Sequence, residues 1–177
     1  TLTLPVEFVP KGITNLCVVC EGPEVDIDWL QFKNRTTYMK PATSASAQPD
    51  AEGFIRRWML LEPIKQDIRS NVMFTNTWLR EAFAKQYFDG QMTILPKNGQ
   101  KVKVDSQKLE WHLLDSETYN VRLFRFAEKW GQQTYGSLFW AVTVIDCPEE
   151  IRDIRLAAGS NGASMWWLNG EEVLLLE

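Results

Sequence analysis

The chain has 177 residues, 45% of them apolar, and a formal net charge of −4. That length allows one good-sized domain or two small ones with a real core. The balanced charge excludes nucleic acid as the main partner, because phosphate binding needs clustered Lys and Arg. No apolar run reaches the ~18 residues of a transmembrane helix and no signal peptide is visible, so no membrane partner is expected. The chain opens on Thr1 without Met, which reads as a processed end or a cleavage site.

Residues 1–32 read as three strands: LTLPVEFV, ITNLCVVC and EVDIDWLQF, separated by turns at KG and EGP. In the last of them Val25, Ile27 and Trp29 share one face. A segment this short buries too little surface to fold alone. Residues 33–52, KNRTTYMKPATSASAQPDAE, are small and polar without a period and read as a linker. Order resumes at residue 53, where FIRRWMLLEPI predicts a strand ending at Pro63. TNTWLREAFAKQYF predicts the one short helix, capped by Asn76 or Thr77, with Trp78, Ala82, Phe83 and Tyr87 along one stripe and Gly90 as its stop signal. After the PKNGQ turn come KLEWHLLD, YNVRLFRFA, SLFWAVTVI, EIRDIRLAAG, SMWWL and EVLLL, short runs that read as strands of an all-β sandwich. Asn169-Gly170 predicts a type I′ hairpin between the last two, since both residues tolerate positive φ.

Cys17 and Cys20 stand three apart on an expected strand and cannot easily pair there; with Cys147 they read as buried small apolar residues. The eight Trp are the unusual count. A β-rich core accounts for most of them. One or two placed outside would be stacking platforms for a flat ligand, and a sugar has such an apolar ring face with hydroxyl edges. Trp58, Trp111 and Trp140 lie in apolar strands and read as core, and Trp78 docks the helix. Trp166 and Trp167 are adjacent, so they point to opposite faces. Trp166 shares its face with Leu168 and reads as core. Trp167 then faces out near Asn161, where amides could read hydroxyls beside the ring, or else it covers an interface with a neighbouring domain. Trp130 and Tyr135, in the polar stretch AEKWGQQTYG, form a second candidate platform on a loop.

Catalysis has little support in the sequence. No GxSxG elbow frames Ser160 or Ser164. His112, the single histidine, alternates with Trp111 on a strand and reads as structural. The adjacent pairs Glu149-Glu150 and Glu171-Glu172 read as solvated surface rather than as glycosidase acids across a cleft. Asp26 and Asp28 offer oxygen ligands for a structural calcium ion. IDCPEEIRDIRLA reads as an exposed strand with weak ion pairs around Arg152 and Arg155.

Two resemblances add to this. LPVEFVPKGITNLCVVCEGPEVDIDWLQFKN resembles the C-terminal end of a family 6 carbohydrate-binding module, with Gly12, Gly22, Asp26, Ile27, Asp28, Trp29 and Phe32 at the family's positions. The resemblance implies a jelly-roll sandwich binding xylan, cellulose or other β-glucans, with Asp28 at its calcium site and Asn34 bonding sugar. The stretches EGFIRRWMLLEPI, YNVRLFRFA and FWAVTVIDCPEEIRDIRLAAGSNGASMWWLNGEEV resemble a galactose-binding-like β-sandwich module found beside catalytic domains in multi-modular esterases and glycoside hydrolases of gut Bacteroidetes. Such modules continue past this hairpin, which implies a sandwich completed by residues 1–32 or by strand exchange in a homodimer. A nicked larger enzyme is the rival explanation.

The expected organisation is therefore terminal strands over 1–34, a linker over 35–52 and a galactose-binding-like, jelly-roll sandwich over 53–177. The expected function is non-catalytic binding of a plant cell-wall β-glycan, xylan or β-glucan, for an attached enzyme in a secreted or cell-surface polysaccharide-degrading system. The candidate sugar contacts are Trp130, Tyr135, Trp167, Asn161 and Asn34. The alternative is a structural domain that packs on a catalytic esterase or glycosidase domain and binds no sugar.

Overall fold

The computed structural model describes Val19, Glu21, Gly22, residues 39–68 and residues 70–177. Contacts divide the chain into two units, Thr1–Asn34 and Arg35–Glu177. The three strands expected over 1–32, with Cys17, Cys20, Asp26, Asp28 and Asn34, lie outside the described residues. The regular elements of the second unit are mostly antiparallel strands, with two short α-helices. No helix among the described residues is long and apolar enough to cross a membrane.

The elements run in the order β1 (Met39–Pro41), β2 (Arg57–Leu61), β3 (Ile64–Lys65), a 3₁₀ turn (Asn71–Phe74), α1 (Asn76–Ala84), β4 (Lys101–Val104), β5 (Gln107–Ser116), α2 (Leu123–Lys129), β6 (Ser137–Leu138), β7 (Ala141–Val142), β8 (Ser164–Leu168) and β9 (Glu171–Leu176). The main sheet has the order β1-β5-β2-β7, with β4 also on β5. β5 is long enough to serve three neighbours, with β2 opposite Trp111–Asp115, β4 opposite Gln107–Glu110 and β1 opposite Leu114–Ser116. β3 pairs with β6, and β8 pairs with β9 in a separate hairpin.

The sheet is apolar on both faces, which is why its strands carry near-continuous hydrophobic runs. Side chains alternate along a strand. Leu61, Leu109 and Trp111 therefore enter one cluster, with Tyr87, Phe88, Leu138 and Trp140. Leu60 and Leu114 enter the other, with Met39 and Phe126. Trp58 joins this second cluster half-buried. α1 covers the first face through Trp78, Ala82 and Phe83, and α2 covers the second through Phe126 and Leu123.

Five expectations are corrected here. YNVRLFRFA contains helix α2, not a strand; Leu123, Phe126, Ala127 and Trp130 stand at i, i+3, i+4 and i+7, which is one helix face. The unit thus holds two α-helices rather than one. EIRDIRLAAG is not a strand: residues 151–160 carry no ladder, and Ile154 is 72% exposed. SLFWAVTVI is broken into β6 and β7, which pair with different strands. The stretch read as linker contains β1, because buried Met39 finds a place on β5. Cys147 is exposed, not buried.

α1 is capped by Thr75, whose hydroxyl accepts from the Trp78 N–H, one residue earlier than expected. It ends at Ala84, before Tyr87. There the Gln91 side chain donates to the Lys85 and Phe83 carbonyls, supplying partners that a helix end lacks. The predicted hairpin is present, with φ of 51° at Asn169 and 87° at Gly170.

Trp111 is fully buried at the centre of the first cluster. Trp111→Ala should cost about 3–5 kcal/mol of unfolding free energy, measured by urea denaturation. Asp50 organises the entry to β2: it accepts from the Phe54 and Glu52 N–H groups and from Arg56 Nε at 2.6 Å. The Phe54 N–H first, and then Arg56, hold its carboxyl below its ordinary value of 3.8. A depressed folded value means the stability it adds is present above the ordinary value and is lost as pH falls through the lower folded one. Asp50→Asn should therefore flatten the fall of the urea midpoint as pH drops below about 4.

Candidate functional site

The described residues form an open groove of about 650 Å³ where α1, the turn after it and the β8–β9 hairpin meet. This is within the range of small-ligand sites. α1 supplies Arg80, Phe83 and Ala84, which stand at i, i+3 and i+4 and so share one helix face. The following turn supplies Gln86, Gln91, Met92 and Thr93. The hairpin supplies Met165 and Trp167, two apart on β8 and so on one face, together with Glu172 on β9.

Trp167 is the aromatic wall of the groove. Its ring stacks on buried Trp140, with centroids 5.9 Å apart and planes 18° apart, and meets Phe83 edge-on at 5.4 Å. The indole is therefore held rigid on one side, and it is half-buried rather than fully outside. Trp166 turns to the opposite side, edge-on to Trp58 at 6.4 Å, and its Nε1 donates to Ser164 Oγ at 3.0 Å. Leu168, expected in the core with it, is 54% exposed. A bulge between Trp166 and Trp167 leaves Val173 without a cross-strand partner.

Register pairs Trp167 with Glu172, so their side chains stand together. Glu172 receives both terminal nitrogens of Arg80, Nη1 at 2.8 Å and Nη2 at 3.0 Å. Arg80 Nε donates to Asn76 Oδ1 at 2.9 Å, so the guanidinium is fixed from two sides. The hydrogen bonds to Glu172 push the Arg80 pKa further above its ordinary value. Gln91 is spent on structure: it is buried, and its Oε1 accepts from the Tyr87 N–H at 2.8 Å. Among the described residues the side chains of Gln86 and Thr93 make long contacts of 3.5 Å, to Asp89 and to the Gly90 carbonyl, so both can turn to a ligand.

The other candidates from the sequence lie elsewhere. Trp130 is the C-cap of α2 and sits half-buried on the second sheet face, 4.3 Å from the His112 ring and 5.1 Å from Phe126, with Lys129 Nζ 4.7 Å over its own ring. Tyr135 is exposed and packs on Phe124 at 5.1 Å. The ring contacts do not join the two. Asn161 is exposed in the loop before β8, outside the groove lining. Asn34, Asp26 and Asp28 lie outside the described residues. Among the described residues no cluster of three or more His, Cys, Asp or Glu could hold a metal. His112 Nε2 lies 3.2 Å from Glu62 Oε1, whose other oxygen accepts from the Glu110 N–H; this pair ties β5 to the strand end at Glu62. Sequence reasoning missed Arg80, Gln86, Thr93 and Glu172.

Arg80 and Glu172 are both substantially exposed, so their pairing is screened. A double-mutant cycle with Arg80→Ala and Glu172→Ala should give a coupling below about 1 kcal/mol in urea denaturation. The coupling should shrink further in about 1 M salt. Comparison of the chain with known protein families, with curated proteins and with solved structures finds no match.

Proposed function

We propose that this unit is a galactose-binding-like, jelly-roll β-sandwich module that binds a plant cell-wall β-glycan, xylan or a β-glucan, without catalysis. In this reading the chain serves a secreted or cell-surface polysaccharide-degrading system and holds an attached catalytic domain near its substrate, raising the local concentration. The observation that carries it is the Trp167 groove: a rigid indole wall bordered by the Arg80–Glu172 pair, Gln86 and Thr93. A sugar ring offers an apolar face to the indole and hydroxyls to the polar border. Structural calcium at Asp26 and Asp28 and a sugar contact at Asn34 remain part of the proposal, as does completion of the sandwich by strand exchange in a homodimer.

A second reading has its own support. Val144, Ile151, Ile154 and Leu156 are each more than half exposed in a stretch without a strand ladder. Scattered apolar side chains are ordinary, whereas a contiguous apolar patch marks an interaction surface, and this reading takes these side chains as one. A structural module resting on a catalytic esterase or glycosidase domain would cover it.

Affinity electrophoresis through gels holding xylan, mixed-linkage β-glucan, xyloglucan or no polysaccharide separates the two. Retardation is expected in one or two of the glycan gels. Trp167→Ala should weaken it at least about tenfold, or ~1.4 kcal/mol, with a urea unfolding transition that stays cooperative, and Trp130→Ala should leave it intact. No retardation in any gel, from folded protein, would favour the structural module.

A further inference from the structure

We propose that Glu172 is a specificity-determining residue of the Trp167 groove: by occupying Arg80 it tunes the groove to uncharged glycans and excludes uronic-acid and sulfated ones. The inference rests on the reading of this groove as a glycan site.

Two charged side chains line the groove, Arg80 and Glu172. A guanidinium beside an indole would otherwise suit an anionic sugar, because its planar fork matches a carboxylate or sulfate in two parallel hydrogen bonds. Here that fork is filled from within the chain, by both oxygens of Glu172. Glu172 is the cross-strand partner of Trp167, so the hairpin holds its carboxylate beside the groove wall. A tethered carboxylate acts at a high effective concentration. A ligand carboxylate would have to displace it and then lie next to it, with like charges in contact.

The pair is not inert toward a neutral ligand. Arg80 has five N–H donors, of which Asn76 and Glu172 engage three, leaving two among the described residues. Each oxygen of Glu172 accepts one of the Arg80 bonds and keeps a further lone pair. The pair therefore presents donors and acceptors side by side, which matches the two hydroxyls of a vicinal diol, each of them donor and acceptor at once. Gln86 and Thr93 extend the same uncharged donor and acceptor chemistry along the groove.

The test uses the full chain in affinity electrophoresis at low salt. The neutral arm is a xylan free of uronic acid, mixed-linkage β-glucan and xyloglucan; the anionic arm is polygalacturonate and chondroitin sulfate. The wild type should be retarded by a neutral glycan and by neither anionic one. Glu172→Gln, which keeps the shape and removes the charge, should gain retardation of about tenfold or more on an anionic glycan. That gain should vanish at about 0.3 M salt, as a screened charge contact does, and in the double variant Arg80→Gln, Glu172→Gln. Retardation of the wild type by the anionic arm as well as the neutral one overturns the inference while leaving the glycan reading standing. So does a folded Glu172→Gln that gains nothing. The wild-type comparison decides the first of these without any variant. Failure of the wild type on both arms overturns the glycan reading, and this inference with it.

Discussion

Trp140 is gripped from two sides, and the site depends on that grip. Toward the interior Phe88 meets it edge-on at 5.7 Å, and Phe88 in turn meets Trp111 at 6.0 Å. Toward the groove Trp167 stacks on it. The sequence Trp111, Phe88, Trp140, Trp167 is thus a continuous line of rings from the centre of the sheet to the groove wall. The arrangement has a cost: the indole N–H groups of Trp111 and Trp140 are buried with no hydrogen-bond partner among the described residues. An unpaired buried donor costs about 1–3 kcal/mol. Burying an indole removes roughly 150–250 Å² from water, which contributes about 4–6 kcal/mol at 25 cal/mol per Å². Packing outweighs the missing bonds, so the line of rings holds without them.

A sheet covered on both faces also explains which parts of the fold were legible in the sequence. Strands β2 and β5 were readable because their apolar runs are long and end at Pro63 and in turns. The hairpin was readable because Asn169-Gly170 dictates its own geometry. YNVRLFRFA was misread because a run cut off at Ala127 shows no clear period. The fourth member of its helical stripe is Trp130, which the neighbouring polar residues and Gly131 had assigned to a loop. EIRDIRLAAG fails as a strand for a different reason. A strand is defined by its partner, and local pattern carries no information about whether one exists. β1 escaped notice because three residues, Met39–Pro41, show no period at all; what makes them a strand is the vacant stretch of β5 at Leu114–Ser116.

The site was half-legible in the same sense. Trp167 stood out by composition. Glu172 could have been found with it: a two-residue turn at 169–170 places Leu168 opposite Glu171 and Trp167 opposite Glu172. Two adjacent glutamates after a turn read as solvated surface, a pattern that hides the cross-strand neighbour of the second. Arg80 was beyond reach. Its contact with Glu172 joins residues 92 apart in sequence, and no local rule predicts how a helix and a hairpin dock.

That docking sets the character of the groove. The β8–β9 hairpin forms a sheet of its own, with no ladder to the main sheet among the described residues. Side chains hold it: Trp167 on Trp140 and Phe83, Trp166 on Trp58, and Glu172 on Arg80. The two indoles grip opposite faces of the main sheet, since Trp140 belongs to the first cluster and Trp58 lies against the second. Adjacent residues on one strand can do this because successive side chains point opposite ways. The hairpin is therefore clamped across the sheet by two rings rather than stitched to it by backbone bonds. The exposed ion pair adds little to that clamp. Its larger effect is electrostatic, in cancelling the charge of the one guanidinium that lines the groove. The indoles hold the site in place, and Arg80 with Glu172 sets the polarity of its border.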